Sequence, residues 1–252
     1  MALMEGDTAL ITGAASGIGR GIARALGAEG ARLFLTDVAE GPLAEVAGEL
    51  GAGFVVSDLS QDGAAKRLFE QAVEHLGQLS IFVHSASPRR REDRTALVVD
   101  EAEWDQMVNV GLRSGFLLGQ AAGVHMKERG IRGRMLYLTS LHAEHTRNLP
   151  HYSATKAGMA MVMQELARAL GPDGVRVNAI APGAVPFGGF VANVKAWEPR
   201  IPLGRMGTPE EIANMAVAVL SERFGSYVTG TTIVVDGGLH LYNWQPFGKP
   251  VE

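Results

Sequence analysis

The chain has 252 residues, 46% of them hydrophobic and 20% charged, with a formal net charge of −4 and no cysteine. That length and apolar content suit a sizeable core, in one large α/β domain or two small ones. Mixed-sign charge argues against a nucleic-acid footprint or a polybasic membrane anchor; the missing cysteine removes disulfides, thiolate catalysis and cysteine metal sites.

No run of about 18 apolar residues suggests a membrane span. MALMEGDTALITG enters a strand-like run almost at once, with no charged stretch followed by a long apolar one. A signal peptide is therefore not expected, and a cytoplasmic location is.

Thr8-Ala-Leu-Ile-Thr12 reads as a buried strand. Gly13, Gly17 and Gly19 separate it from a helical pattern starting at Arg20. A glycine turn between strand and helix lets the backbone approach a pyrophosphate, and the helix start offers N–H groups and a favourable dipole. The spacing is G-x-x-x-G-x-G rather than the general G-x-G-x-x-G. Residues 31–36 form a second strand closed by Asp37. An acid there, about 20 residues beyond the glycines, suits a ribose 2′-hydroxyl and repels a 2′-phosphate. With no basic residue in the turn or at Val38-Ala39, the pattern favours NAD over NADP.

Helical spacing at 42–50 and 61–76 alternates with strands at 53–57 and 80–84, Asp58-Leu59 following the third strand. Such alternation predicts a parallel sheet covered on both faces. Residues 85–99 are irregular and carry Arg89, Arg90, Arg91 and Arg94 among Glu92 and Asp93. They read as a solvated loop rather than an anion contact. Residues 100–129 read as one long helix, with Trp104, Met107, Val108 and Leu112 at core spacing and Asn109 inside it. By itself a mid-helix asparagine reads as a surface or side-chain-bonding residue.

A fifth strand at 134–138 ends at Thr139-Ser140, beyond the strand end where catalytic groups are expected. The next helix, 152–170, places Tyr152 and Lys156 on one face. An ammonium fixed beside a phenol favours the phenolate and lowers its pKa from the free value of about 10. A sixth strand at 175–180 leads to Pro182-Gly183 and a long loop, about 184–205, of the kind that forms lids or binding segments. Thr208-Pro-Glu-Glu211 predicts a capped helix start, the helix running to about Leu220. Residues 231–235 form a seventh strand closed by Asp236. The tail, 240–252, carries Tyr242, Trp244 and Phe247, which suggests contact with a neighbouring subunit or a substrate pocket. His142, His145 and His151 read as solvated loop histidines. The seven histidines show no metalloprotease-type spacing, so no metal is expected. With no repeat or linker-like composition shift, residues 1–252 read as a single domain.

Taken together, the motifs resemble the classical short-chain dehydrogenase/reductase family over residues 8–238. The pieces are Thr12-Gly-Ala-Ala-Ser-Gly-Ile-Gly19, Asp37, Asp58-Leu59, Asn109, Ser140, Tyr152-Ser-Ala-Thr-Lys156, Pro182-Gly183 and Val235-Asp-Gly-Gly238. The resemblance implies a single doubly wound Rossmann-type α/β domain. Its parallel sheet would have seven strands in the order 3-2-1-4-5-6-7, with helices on both faces, and the protein would assemble as a homotetramer. It implies that Gly13, Ser16, Gly17, Ile18 and Gly19 hold the pyrophosphate side of NAD, Asp37 the ribose, and Asp58 and Leu59 the adenine. Ala86, Pro182, Gly183 and Val185 would line the rest of the cofactor, together with Tyr152 and Lys156. Ser140 would polarise the substrate oxygen, and Tyr152 would act as acid/base. Lys156 would bind the nicotinamide ribose and depress the tyrosine pKa, and Asn109 would anchor a water joining Lys156 to solvent.

Three departures stand out. His84-Ser-Ala-Ser87 replaces the family's Asn-Asn-Ala-Gly, and Phe187 replaces a frequent threonine. The spacing from Ser140 to Tyr152 is one residue short, which Thr139 would restore; Ser140 is nevertheless the choice. The expected reaction is hydride transfer between NAD(H) and a small secondary alcohol or ketone, such as a sugar or polyol. A 3-oxoacyl-thioester reductase and a non-catalytic NAD-binding protein stay open as alternatives.

Overall fold

The structure, a computed structural model, describes residues 2–186 and 198–242. Phe187, Trp244, Phe247, half of the predicted substrate loop and the side chain of Tyr242 lie outside the described part. Seven strands form one parallel sheet: β1 (Thr8–Thr12), β2 (Arg32–Asp37), β3 (Gly53–Val56), β4 (Ile81–His84), β5 (Arg134–Leu138), β6 (Arg176–Pro182) and β7 (Thr232–Val235). Their order is 3-2-1-4-5-6-7. The direction of winding reverses between β1 and β4, and Thr12 pairs with both Thr36 and His84. Ligands bind in the crevice that such a reversal opens at the carboxyl ends of the strands.

β1, β4 and β5 are buried along their whole length, which explains their continuous apolar runs. α1 (Gly17–Ala28), α2 (Glu40–Leu50) and α7 (Pro209–Leu220) cover one face of the sheet, packing Ile22, Leu26, Leu43 and Ile212 on Ile11 and Leu35. α3 (Ala64–Leu76), α5 (Ser114–Glu128) and α6 (Pro150–Leu170) cover the other, with Leu68, Leu118 and Met163 around Leu10, Phe82 and Tyr137. Each such side chain, fully buried, contributes about 1.5–3 kcal/mol. A small third cluster, Leu141, Ala184, Ile201, Met206 and Leu239, is built from segments that follow β5, β6 and β7. No helix among the described residues is long and apolar enough to cross a membrane.

The long helix expected at 100–129 is interrupted. α4 (Glu101–Met107) passes into a π-helical turn, Val108–Arg113, before α5 begins. Side chains from elsewhere hold this turn. His84 Nε2 lies 2.9 Å from Gly111 O, and the Ser114 hydroxyl donates to Val110 O at 2.5 Å. Neither Gly111 nor Gly115 has room for a side chain: a Cβ would come within 2.5 Å of Thr155 and 2.8 Å of the His84 ring. The four residues expected at core spacing do not share one buried face: Val108 and Leu112, within the turn, are half-buried. Met107 is buried as expected, but Trp104 is 39% exposed.

α7 is closed at both ends. At its start Glu211 N donates to Thr208 Oγ1 at 3.3 Å and Thr208 N to Glu211 Oε2 at 2.9 Å, the predicted capping box. At its end, under the amino edge of the sheet, Arg134 Nε donates to Leu220 O and Arg176 Nη1 to Val219 O, both at 2.9 Å. Cations favour the carbonyl end of a helix dipole. Arg134 also pairs with Asp7, and Arg176 with Glu222 at 3.3 Å.

Candidate active site

Ser140, Tyr152 and Lys156 meet beyond the carboxyl end of β5. Ser140 is in extended backbone and opens a short 3-10 turn, Leu141–Ala143, its Oγ accepting from His142 N at 3.3 Å. Ser140 and Tyr152 share a side-chain hydrogen bond. Thr139, whose spacing to Tyr152 fits the family better, turns the other way and donates to Ile180 O at 3.0 Å. Pro150, at the first position of α6, is preset for helix and puts Tyr152 in the first turn, two residues on. Lys156 is 3% exposed, and its Nζ donates to Leu138 O at 2.7 Å while sitting 5.5 Å from the Tyr152 ring centroid.

The electrostatics favour phenolate. Burial opposes ionisation of Tyr152, but the charges of Lys156 and then Arg90, with hydrogen bonds from Ser140 and Arg90, outweigh it. The Tyr152 pKa lies below its ordinary 10.0 as a result. Lys156 is itself lowered, by burial first and by repulsion from Arg90, with Tyr152 pulling the other way.

Arg90 corrects the reading of 85–99 as a solvated loop. Its guanidinium carbon lies 4.9 Å from the Tyr152 ring centroid, and Nη1 lies 3.5 Å from His142 Nε2. Its Nε donates to Glu92 Oε1 at 2.7 Å. Arg89 is exposed, Arg91 pairs with Asp93 in solvent, and Arg94 makes a half-buried pair with Glu103 at 3.0 Å. The histidine reading is corrected too. His142 stands edge-on to Tyr152, with centroids 5.0 Å apart, and His151 is buried. Burial, then the charges of Arg90, Arg147 and Lys156, drive the His142 pKa down to about 3. The two loops are clipped together: Asn148, the one non-glycine residue with positive φ among those described, accepts from Ala96 N at 3.1 Å.

A cradle suited to a dinucleotide lies at the ends of β1 and β2. Gly13 and Gly17 have positive φ. A Cβ on Gly13 would sit 2.8 Å from Ala86 N, and one on Gly19 would sit 2.1 Å from Gly13 O. Ser16 precedes α1 without capping it, and the first turn, containing Ile18, carries no acid. That leaves a positive helix start for a phosphate. Asp37 is held for an acceptor's role: Oδ2 accepts from Ala15 N at 3.0 Å, and Oδ1 from Val38 N at 2.7 Å. These residues fit a nicotinamide dinucleotide.

The remaining candidates have varied settings. Asp58 turns back on its own loop, accepting from Ser60 N and Gln61 Nε2, both at 2.9 Å, while Leu59 is buried beneath it. Ala86 N donates to Thr12 Oγ1 at 3.1 Å, and Ser87 needs no positive φ, so the departure from glycine is absorbed. Pro182 ends β6, Gly183 N donates to Val235 O at 3.0 Å, and Val185 is buried. Asn109 lies half-buried on the π turn. His84, absent from the predicted site, joins that turn to the cradle, its Nδ1 3.0 Å from Thr12 Oγ1. Burial holds it neutral and brings its pKa to about 4. Spacing alone could not have found Arg90, His142 or His84, because each meets its partners across the fold.

Together, the switch-point cradle and the buried lysine beside a tyrosine define a dehydrogenase built on a dinucleotide-binding fold. The family model described as Enoyl-(Acyl carrier protein) reductase matches residues 13–240. Glucose 1-dehydrogenase 2 of Bacillus subtilis is 33% identical over 96% of this chain and 98% of its own length. Galactitol 2-dehydrogenase (L-tagatose-forming) of Cereibacter sphaeroides is 36% identical, covering 95% and 97%. Cis-4-hydroxycyclohexanecarboxylate dehydrogenase of Sinomonas cyclohexanicum is 35% identical, covering 91% and 95%. A crystal structure of a short-chain type dehydrogenase/reductase from Mycobacterium marinum superposes with a TM-score of 0.86 at 29% identity, covering 94% of this chain and 96% of that one. The chain belongs to the short-chain dehydrogenase/reductase family. Membership implies a nicotinamide cofactor, NAD or NADP.

Proposed function

We propose that the protein interconverts a secondary alcohol and a ketone with NAD(H), Tyr152 serving as acid/base. The observation that carries this reading is the buried Lys156 Nζ 5.5 Å from the Tyr152 ring centroid, with Ser140 hydrogen-bonded to the same tyrosine. Bound nicotinamide supplies the hydride acceptor, or the donor in reduction. In oxidation Tyr152 as phenolate takes the hydroxyl proton, and Ser140 donates to the same oxygen as charge develops on it. Lys156 keeps the phenolate form accessible, and its bond to Leu138 O fixes the ammonium in place. Asn109 anchors the water that links Lys156 to solvent. Asp37 selects NAD over NADP, because a 2′-phosphate would meet its carboxylate.

The names of the relatives support a cyclic or polyhydroxylated alcohol as substrate. Exposed Trp104, Phe116 and Val124 on α4 and α5 support assembly as a homotetramer. The test is a panel of sugars, polyols, cyclic alcohols and 3-oxoacyl thioesters, each assayed with NAD(H) and NADP(H) in parallel. NAD-linked turnover of an alcohol is expected, and Tyr152→Phe should lose about 10²–10⁴-fold, the usual contribution of a positioned acid/base. Full activity in that variant would overturn the assignment.

A further inference from the structure

More positive charge gathers at the catalytic face than proton transfer requires. Lys156 already favours the phenolate. Arg90 nonetheless stacks on the Tyr152 ring at 4.9 Å and donates to its hydroxyl. Arg147, half-buried in the loop before α6, acts on His142, and Arg200, half-buried at the end of the turn Glu198–Arg200, acts on Arg147. Burial, then repulsion from Arg90, holds Arg147 below its ordinary pKa; Glu92 opposes and Arg200 reinforces this.

We propose that Arg90 binds a carboxylate on the substrate, and that the enzyme's substrates are hydroxy acids or the matching keto acids, with the carboxylate a few atoms from the reacting carbon. This deepens the dehydrogenase reading and rests on it. A guanidinium is planar, and its paired N–H groups match a carboxylate in two parallel bonds. During turnover the Tyr152 oxygen must turn to the substrate. The Tyr152 bond and the 3.5 Å contact to His142 are therefore what an incoming carboxylate replaces. The 2.7 Å pair with Glu92 holds the guanidinium over the ring throughout. The same Glu92 disfavours a phosphate, whose second negative charge it would repel. The distance also limits the substrate: a carboxylate on a group 4.9 Å from the phenol ring belongs to a molecule whose acid and alcohol are close neighbours.

The test compares acids with their own methyl esters, which differ in charge but little in shape. 3-Hydroxybutyrate and 3-hydroxycyclohexanecarboxylate would each be assayed beside the ester with the full-length enzyme. In the wild type kcat/KM for the acid should exceed that of the ester by about 10-fold or more, mostly through KM, as a charge-assisted pair predicts. Cyclohexanecarboxylate should inhibit competitively. Arg90→Gln should collapse the acid-to-ester ratio to within about 3-fold, and Arg90→Lys should restore part of it. Equal use of acid and ester by the wild type, or an unchanged ratio in Arg90→Gln, overturns the proposal. Should the variants fail to fold, the wild-type ratio and the inhibition by cyclohexanecarboxylate decide it. Turnover of neutral alcohols without preference for acids sinks this inference and leaves the dehydrogenase reading standing. No turnover of any alcohol or ketone with either cofactor sinks both.

Discussion

The two ends of the sheet both bury cations, and they use them differently. At the amino end Arg134 and Arg176, each the first residue of its strand, donate to carbonyls at the end of α7 and pair with Asp7 and Glu222. Fixed acceptors absorb the charge there. At the carboxyl end Lys156 donates to Leu138 O and, weakly, to Met159 Sδ at 3.8 Å, and its charge acts on a group that can ionise. Two tyrosines report the same contrast. Tyr137 is fully buried in β5 with its hydroxyl on Gly115 O, and burial alone pushes its pKa up. Tyr152 is pushed down although burial opposes it, because Lys156 and Arg90 face it. A buried cation closed on carbonyls holds the fold; one facing an ionisable oxygen shifts that oxygen's ionisation.

Lys156→Met tests the chemical end and should have the largest effect, at least about 10²-fold in alcohol oxidation near neutral pH. The pH profile carries the sign. Oxidation needs phenolate, so the rate rises with pH through the lowered Tyr152 pKa. Without the ammonium, burial weighs more heavily and the rising limb should move to higher pH. An unmoved limb would remove Lys156 from the role given to it. Arg134→Met tests the structural end. It leaves Asp7 with the Ser80 hydroxyl but no cation, and the Leu220 carbonyl with only the 3.4 Å contact to Arg176, and should cost roughly 3 kcal/mol in urea unfolding, with kcat of the folded enzyme preserved. Lost kcat with intact stability would erase the division between the two ends. Thr208→Ala is the mildest change. It opens the capping box at the other end of α7 and should cost about 1 kcal/mol, read as a lowered midpoint with an unchanged slope.

The frame of the protein is written in local patterns. Strands buried on both faces read as apolar runs, three glycines mark the cradle, and a four-residue step puts Tyr152 and Lys156 on one face. Thr139 and Ser140, adjacent in extended chain beyond β5, point to opposite sides: Thr139 bonds Ile180 O, and Ser140 bonds Tyr152. What stayed illegible depends on distant parts of the chain. The π turn around Asn109 is held by His84 from another strand, so helical periodicity at 100–129 gave no sign of it. Arg90 looked solvated because its acidic neighbours in sequence were visible, whereas Tyr152, its neighbour in space, was not.

The hydrogen bond from Ala96 N to Asn148 Oδ1 has a mechanical consequence. It ties the segment that carries Arg90 to the segment that carries His142 and leads into Tyr152. The left-handed backbone at Asn148 aims the side chain that makes this tie. The two segments are thereby tied at one exposed point, and a displacement of either is opposed by the worth of that single hydrogen bond.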